Sequence, residues 1–215
     1  MIKKTLIITG LVLTSIVLYY TIVVINARID TPDIVQRALT SDRIKLRLTD
    51  FSKDQIEALL KIQDPNFYNH KGVDISTPGA GVTTISQAVV KMYYFKDFKP
   101  GIQKIKQTLI AKFAFDNLTP KDTILKLFIN EVYLGQNGGQ AVKGFERASS
   151  AYFNKSFKAL TWDEYLSIVA MIRAPLTYHC IRNKVVNLDR VSKIKRMLSG
   201  EYTPVDNSDW LYDRK

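Results

Sequence analysis

Hydrophobic positions fall into two regimes along the chain. Residues 5–25 form an uncharged run of 21 residues dominated by Leu, Ile, Val, Thr and Tyr, with Gly10 its one glycine. At about 1.5 Å rise per residue, such a helix spans roughly 30 Å, the thickness of a bilayer's hydrocarbon core. Beyond residue 50 the apolar positions recur at helical spacing instead. Ser52 with Gln55 is a capping-box pattern ahead of Ile56, Leu59, Leu60 and Ile62. Thr119 as N-cap with Pro120 at the first helical position opens a stripe of Ile124, Leu125, Phe128, Ile129 and Val132. Thr161 with Glu164 opens another through Tyr165, Leu166, Ile168, Val169 and Met171, which Pro175 stops. Ile102, Ile105, Leu109 and Phe113 make a further stripe. No hairpin signal and no run of alternating strands stands out, so the expected fold class is mainly α behind one N-terminal transmembrane helix. Asn137-Gly138-Gly139 and the stretch from Thr77 to Gly81 read as loops.

This pattern divides the chain into a stub at 1–4, a membrane helix at 5–25, a linker or docking arm without sustained period at 26–50, a folded domain at 51–199 and a loosely packed tail at 200–215.

Charge sharpens the topology. The net charge is +11, and Lys3 and Lys4 are the only charged residues before the apolar run, which leaves 29 basic against 20 acidic residues beyond it. By the positive-inside rule the N-terminus is cytoplasmic, and the domain lies on the other side of the inner membrane as a single-pass protein. A cleaved signal peptide would have a shorter apolar region and a small-residue cleavage site, neither of which is seen. Outside the cytoplasm the basic surplus points to anionic lipid or a lipid-linked phosphate and away from nucleic acid. Cys180 stands alone and there are two histidines, so no disulfide and no Cys/His metal site is expected.

The candidate chemistry is concentrated in two polar stretches. Residues 63–74 follow directly on the first helix of the domain and carry Gln63, Asp64, Phe67, His70 and Gly72. Gly81-Val82-Thr83-Thr84-Ile85-Ser86-Gln87 then leads to Lys91. Hydroxyls and backbone N–H groups with a cation about one turn later suit phosphate oxygens, although helix capping explains the same Thr/Ser run. Glu57, Glu131, Glu146 and Glu164 read as solvated helix positions or caps. Lys193, Lys195 and Arg196 read as a solvated helix face, with anionic lipid as the sharper alternative.

In this order the segments resemble the peptidoglycan glycosyltransferases, glycosyltransferase family 51. The family pattern E-D-x-x-F-x-x-H-x-G is matched by Gln63, Asp64, Phe67, His70 and Gly72, and G-G-S-T-I-T-Q-Q by the run from Gly81. R-K-x-x-E falls on Gln103, Lys104 and Gln107, and K-x-x-I-L-x-x-Y-L-N on Lys121, Ile124, Leu125 and Asn130. Tyr133-Leu134-Gly135, the segment from Gly144 to Lys155, and Ala174-Pro175 continue it. The resemblance covers roughly residues 51–198. It implies a lysozyme-like helical domain that polymerises lipid II at the outer membrane face, with inversion, by attack of the acceptor sugar's 4-hydroxyl on the donor. It also implies pyrophosphate contacts from Lys91 and Lys104, assisted by Thr83, Thr84, Ser86 and Gln87. Phe67, His70, Gly72 and Asn130 fall to cleft or structural roles. A divalent cation, Mg2+ or Mn2+, is implied only together with the substrate's pyrophosphate, and no metal-binding residues are assigned.

The departures bear on mechanism. The family's general-base glutamate is Gln63 here and its second glutamate is Gln107. An amide orients a hydroxyl but takes no proton near neutral pH. Asp64 is adjacent and is the candidate for a replacement catalytic base, yet successive helical side chains diverge by about 100° and share no face, which favours a structural role for it. Only six residues separate Asp74 from Gly81, where the family carries a longer insertion with an arginine. Three readings stand: a glycosyltransferase acting on lipid II, a catalytically impaired relative that binds lipid II or a cell-wall synthesis partner, and a glycan-cleaving enzyme that would need an acidic catalyst.

Overall fold

A computed structural model describes residues 2–214. Met1, in the expected stub, and Lys215, the end of the expected tail, lie outside the described residues. Helix α1 (Ile2–Leu39) contains the whole apolar run, and Leu6, Ile7, Leu11, Leu13 and Val17 on it are exposed. It is the one helix among the described residues long and apolar enough to cross a membrane.

The helix does not stop at residue 25. It continues through the expected linker to Leu39 with Pro32 inside it, and this part is docked. Ala27, Thr31 and Ala38 are buried along one stripe with partly buried Ile34 and Val35. Thr31 shares a hydrogen bond with the Tyr94 hydroxyl at 2.7 Å, and Arg28 donates to the Phe113 carbonyl at 2.6 Å. The stripe escapes a hydropathy reading because its buried members are small residues, which let helices approach closely without a strong apolar signal.

Helix α2 (Lys53–Gln63) carries the expected Ser52/Gln55 capping box, and α8 (Trp162–Met171) the Thr161/Glu164 box. Between them lie α3 (Ile85–Tyr94), α4 (Ile102–Ile110), a π-helical turn Ala111–Phe115, the short α5 (Asp116–Leu118), α6 (Lys121–Glu131) and α7 (Phe145–Phe153); α9 (Lys184–Ser199) follows α8. Helix α6 starts one residue later than expected. Pro120 is its N-cap, and the Thr119 hydroxyl is buried without a partner.

Helix α8 is buried without interruption from Tyr165 to Met171, as befits a helix enclosed on all sides. Phe51, Phe145 and Phe157 pack around Tyr165 at one end of the core.

Two expectations fail here. Strands β1 (Tyr133–Asn137) and β2 (Gln140–Lys143) pair antiparallel, with Asn137 opposite Gln140. Gly138 and Gly139 have φ of 56° and 81°, the two positive angles a two-residue hairpin turn demands. The Asn-Gly-Gly signal was therefore a hairpin turn and not a plain loop. The tail is also not loose: Tyr212 and Asp209 are fully buried, and Trp210 is partly so.

Candidate functional site

The first motif straddles the end of α2, and its two leading residues part company there. Gln63, the last helical residue, faces a cleft of about 710 Å3, and its side-chain amide makes no hydrogen bond to any described residue. Asp64 is the C-cap, with φ −163° and ψ 73°, and turns inward to 1% exposure. Its carboxylate takes the His70 Nε2 at 2.8 Å and accepts the Ile85 backbone N–H at 2.9 Å. Asp64 thus ties the motif loop to the first turn of α3, where a carboxylate is favoured. Phe67 is buried under the Lys121 ammonium, 4.6 Å from the ring centroid. Gly72 has φ 78°, and a Cβ there would fall 2.3 Å from the Ala111 carbonyl oxygen, so the loop passes the π-turn at a distance only glycine allows.

The hydroxyl-rich run divides in the same way. Thr84 is the N-cap of α3 in a capping box with Gln87, and its hydroxyl also donates to the Gly72 carbonyl at 2.7 Å. Ser86 donates to the Asp116 carboxylate, which also holds Lys121 at 2.8 Å. Gln87 Nε2 donates to the Thr108 hydroxyl. Thr84, Ser86 and Gln87 are buried with their side chains engaged inside the domain: capping accounts for Thr84 and Gln87, and the bond to Asp116 for Ser86. Thr83 is exposed on the cleft wall and accepts from the Lys104 ammonium at 3.0 Å. Lys91 lines the cleft on the outer face of α3, over Phe98. Burial and the neighbouring Lys91 charge push the Lys104 ammonium below the usual lysine range. Neither lysine has a carboxylate partner among the described residues, and two such neighbouring cations favour an anion between them.

Gln107 lies elsewhere. It is 1% exposed on the inner face of α4, its Nε2 donates to the Gln87 carbonyl at 2.6 Å, and its Oε1 is buried without a partner. It does not line the cleft. Asn130 is likewise structural: its Oδ1 accepts the Lys45 and Leu46 N–H groups at 2.8 and 2.9 Å, and its Nδ2 donates to the Leu46 and Lys126 carbonyls. It pins the segment after α1 to α6.

The structure brings into the cleft residues that spacing did not reveal. Glu131, expected to be solvated, is 4% exposed and is the one carboxylate among the cleft's lining residues. It forms an ion pair with Arg43, and no hydrogen bond reaches its Oε2 from any described residue. The hydroxyl of Tyr93, another lining residue, is buried without a partner, and burial followed by the Glu131 charge raises its pKa. Arg43, Lys96, Lys143 and Arg173 join Lys91, so five cations face one anion. Glu131 was legible only as the residue after Asn130, and Arg43 and Arg173 carried no signal.

Other candidates resolve more simply. Burial pushes the Cys180 thiol up to about 12, which leaves no thiolate at neutral pH. His179 is buried and hydrogen-bonds the Gln136 carbonyl at 3.2 Å. Lys193 pairs with Asp189 and Asp213, and Lys195 with Asp163, so most of that basic cluster is neutralised. Among the described residues no group of three His, Cys, Asp or Glu side chains could hold a metal ion. The cleft's donors do not fit a resident Mg2+ or Mn2+, whose oxygen ligands would have to come from one carboxylate already engaged by Arg43.

Comparison with known sequences agrees with this arrangement. Penicillin-binding protein 1A of Pseudomonas aeruginosa is 32% identical over 170 residues, which cover 73% of this chain and 20% of that protein. Penicillin-binding protein 1B of Escherichia coli is 30% identical over 159 residues, covering 68% and 19%. That of Haemophilus influenzae is 29% identical over 170 residues, covering 73% and 22%. The chain therefore spans about a fifth of the length of these relatives. The family model described as Transglycosylase matches residues 32–199, so the match begins inside α1, well before the residue 51 expected from the motifs. With most of its length matched, a helical fold and the motif loops in place, this chain belongs to the transglycosylase family.

Proposed function

We propose that the chain is a membrane-anchored peptidoglycan glycosyltransferase that polymerises lipid II on the extracytoplasmic face. In this reading Glu131 is the proton acceptor that Gln63 is not. The observation that carries it is the pairing, within one cleft, of a single carboxylate with a free oxygen and four cations, Lys91, Lys96, Lys143 and Arg173, that have no carboxylate partner among the described residues. The acceptor's 4-hydroxyl, oriented by the Gln63 amide, attacks the donor's anomeric carbon from the face opposite the leaving group. The new C–O bond forms as the bond to the pyrophosphate breaks, the hydroxyl proton passes to Glu131, and the polyprenyl pyrophosphate departs toward Lys91 and Lys104. Any divalent cation belongs on the pyrophosphate oxygens of the substrate. The two lysines before the apolar run support a cytoplasmic N-terminus.

One observation favours a second reading, a protein that binds lipid II or a cell-wall synthesis partner without turnover: the Arg43 guanidinium already occupies one oxygen of Glu131, the one carboxylate among the cleft's lining residues. Polymerisation of labelled lipid II by the full-length protein in detergent decides between them. Product from the native chain that falls by about 10² to 10⁴ in Glu131→Gln, with folding retained, supports the first. Lipid II binding with no product leaves the second. Release of soluble fragments from intact peptidoglycan would instead favour glycan cleavage, which needs a pair of carboxyl groups where the cleft has one.

A further inference from the structure

We propose that Arg173 is an oxyanion-binding residue of the cleft and that the C-terminal strap, residues 201–214, is what positions it. The proposal deepens the lipid-linked substrate reading and rests on it.

Arg173 follows α8 and lines the cleft. A Cβ on Gly81 would fall 2.2 Å from its Nη2, so the glycine leaves the space the guanidinium occupies. No described carboxylate pairs with it. Its one hydrogen bond is a long contact of 3.5 Å from Nη1 to the Ala80 carbonyl, which leaves most of a guanidinium's five donors unused. Burial, then the charge of nearby Arg190, lowers its pKa. A partly desolvated cation without a counter-ion is costly unless a ligand completes it.

What orients the group comes from outside the family match, which ends at residue 199. The Trp210 ring lies 4.2 Å from the Arg173 Cζ. A guanidinium stacked on a ring keeps its in-plane N–H edge free, the edge that grips phosphate or carboxylate oxygens two at a time. Trp210 is in turn held on both sides. Buried Asp209 accepts from the Tyr202 hydroxyl at 2.6 Å and the Val205 N–H at 3.0 Å, and Arg190 donates to the Leu211 carbonyl at 3.0 Å. Tyr212 reaches the Ile62 carbonyl, next to Gln63, at 3.4 Å. The strap also clamps the loop on the cleft's rim: Gly79 N–H donates to the Asp206 carbonyl at 2.8 Å, Gly81 N–H to that of Asn207 at 2.7 Å, and the Asn207 amide to the Ile75 carbonyl. The cation and the loop that carries Thr83 are therefore set by one segment.

The ligand chemistry is an oxyanion of the lipid-linked substrate, either its pyrophosphate or a carboxylate of its stem peptide. The test measures affinities of the full-length protein in detergent micelles for polyprenyl pyrophosphate, lipid II and uncharged polyprenol. Arg173→Gln is expected to weaken binding of one or both anionic lipids about tenfold or more. Its affinity for polyprenol should stay unchanged and its dependence on salt should flatten. Loss with both anionic lipids assigns the pyrophosphate, and loss with lipid II alone assigns the peptide carboxylate. Trp210→Leu, which leaves Tyr212 anchoring the strap, is expected to cause a smaller loss of the same selectivity, and decides the matter if Arg173→Gln fails to fold. The proposal is overturned if neither variant changes the anionic affinities while Lys91→Gln weakens them, or if polyprenol binding falls in step. A native protein that binds neither anionic lipid sinks the substrate reading itself.

Discussion

Gln63 and Gln107, the two glutamines that the resemblance sets at glutamate positions, are treated by the fold in opposite ways. Gln63 sits half-buried at the end of α2, facing the cleft, with its amide unengaged. Gln107 is enclosed between α4 and α3, where its Nε2 donates to the Gln87 carbonyl. A carboxylate could replace the first beside several cations, but could not donate the hydrogen bond the second supplies. Replacing glutamine by glutamate is thus a question of chemistry at one site and of stability at the other. Asp64 belongs with Gln107 in this respect: it borders Gln63 in sequence, yet its carboxylate is a tie within the domain.

The largest effect expected from this contrast is on Asp64. Asp64→Ala removes the partner of both His70 and the α3 N-terminus and should cost about 3 kcal/mol or more in denaturant unfolding. A loss below 1 kcal/mol would break the division between inward and cleft-facing residues. Next comes Gln107→Glu, which sets an acceptor against the Gln87 carbonyl and should cost about 2 kcal/mol near neutral pH. Burial would raise the folded-state pKa of the introduced carboxyl. The penalty should therefore be small below the unfolded value of about 4.3 and grow as pH rises toward the folded one, which melting curves across pH would reveal.

On the cleft side the sign is reversed and the effects are on binding. Affinity for polyprenyl pyrophosphate should fall several-fold as alkaline pH rises through the lowered Lys104 pKa, because the cation is lost there. Lys104→Arg should remove that limb, since a guanidinium stays charged. The smallest stability change belongs to Gln63→Glu, within about 0.5 kcal/mol, because the side chain faces the cleft and gives up no hydrogen bond. A polymerisation assay would show whether that variant turns over lipid II faster than the native chain.

Much of the domain could be read in advance where local chemistry decides it. The capping boxes at Ser52 and Thr161 are four-residue signals that need no tertiary partner, and both formed. The Thr84 box obeys the same rule, which is why its hydroxyl and Gln87 proved to be caps before anything else. The hairpin at Asn137–Gln140 was missed for want of alternation: only Leu134, Gly135 and Val142 of its two strands are buried. The docked half of α1 and the strap were missed because what holds them is spread over distant residues, such as Tyr94 for Thr31 and Ile62 for Tyr212.

By itself the sequence determined the long apolar N-terminal helix, the helical class and the capping boxes. These follow from composition and short-range periodicity, which one segment carries alone. Which side chains meet in the cleft was decided only by the tertiary structure. Glu131 joins Arg43 across 88 positions of chain, and Arg173 is oriented by a ring that lies beyond the matched region. Direction at a helix end, as at Gln63 and Asp64, depends on one backbone turn that no spacing rule specifies. A side chain's chemistry is fixed by its type, but whether it meets substrate or core is fixed by what the rest of the chain packs against it.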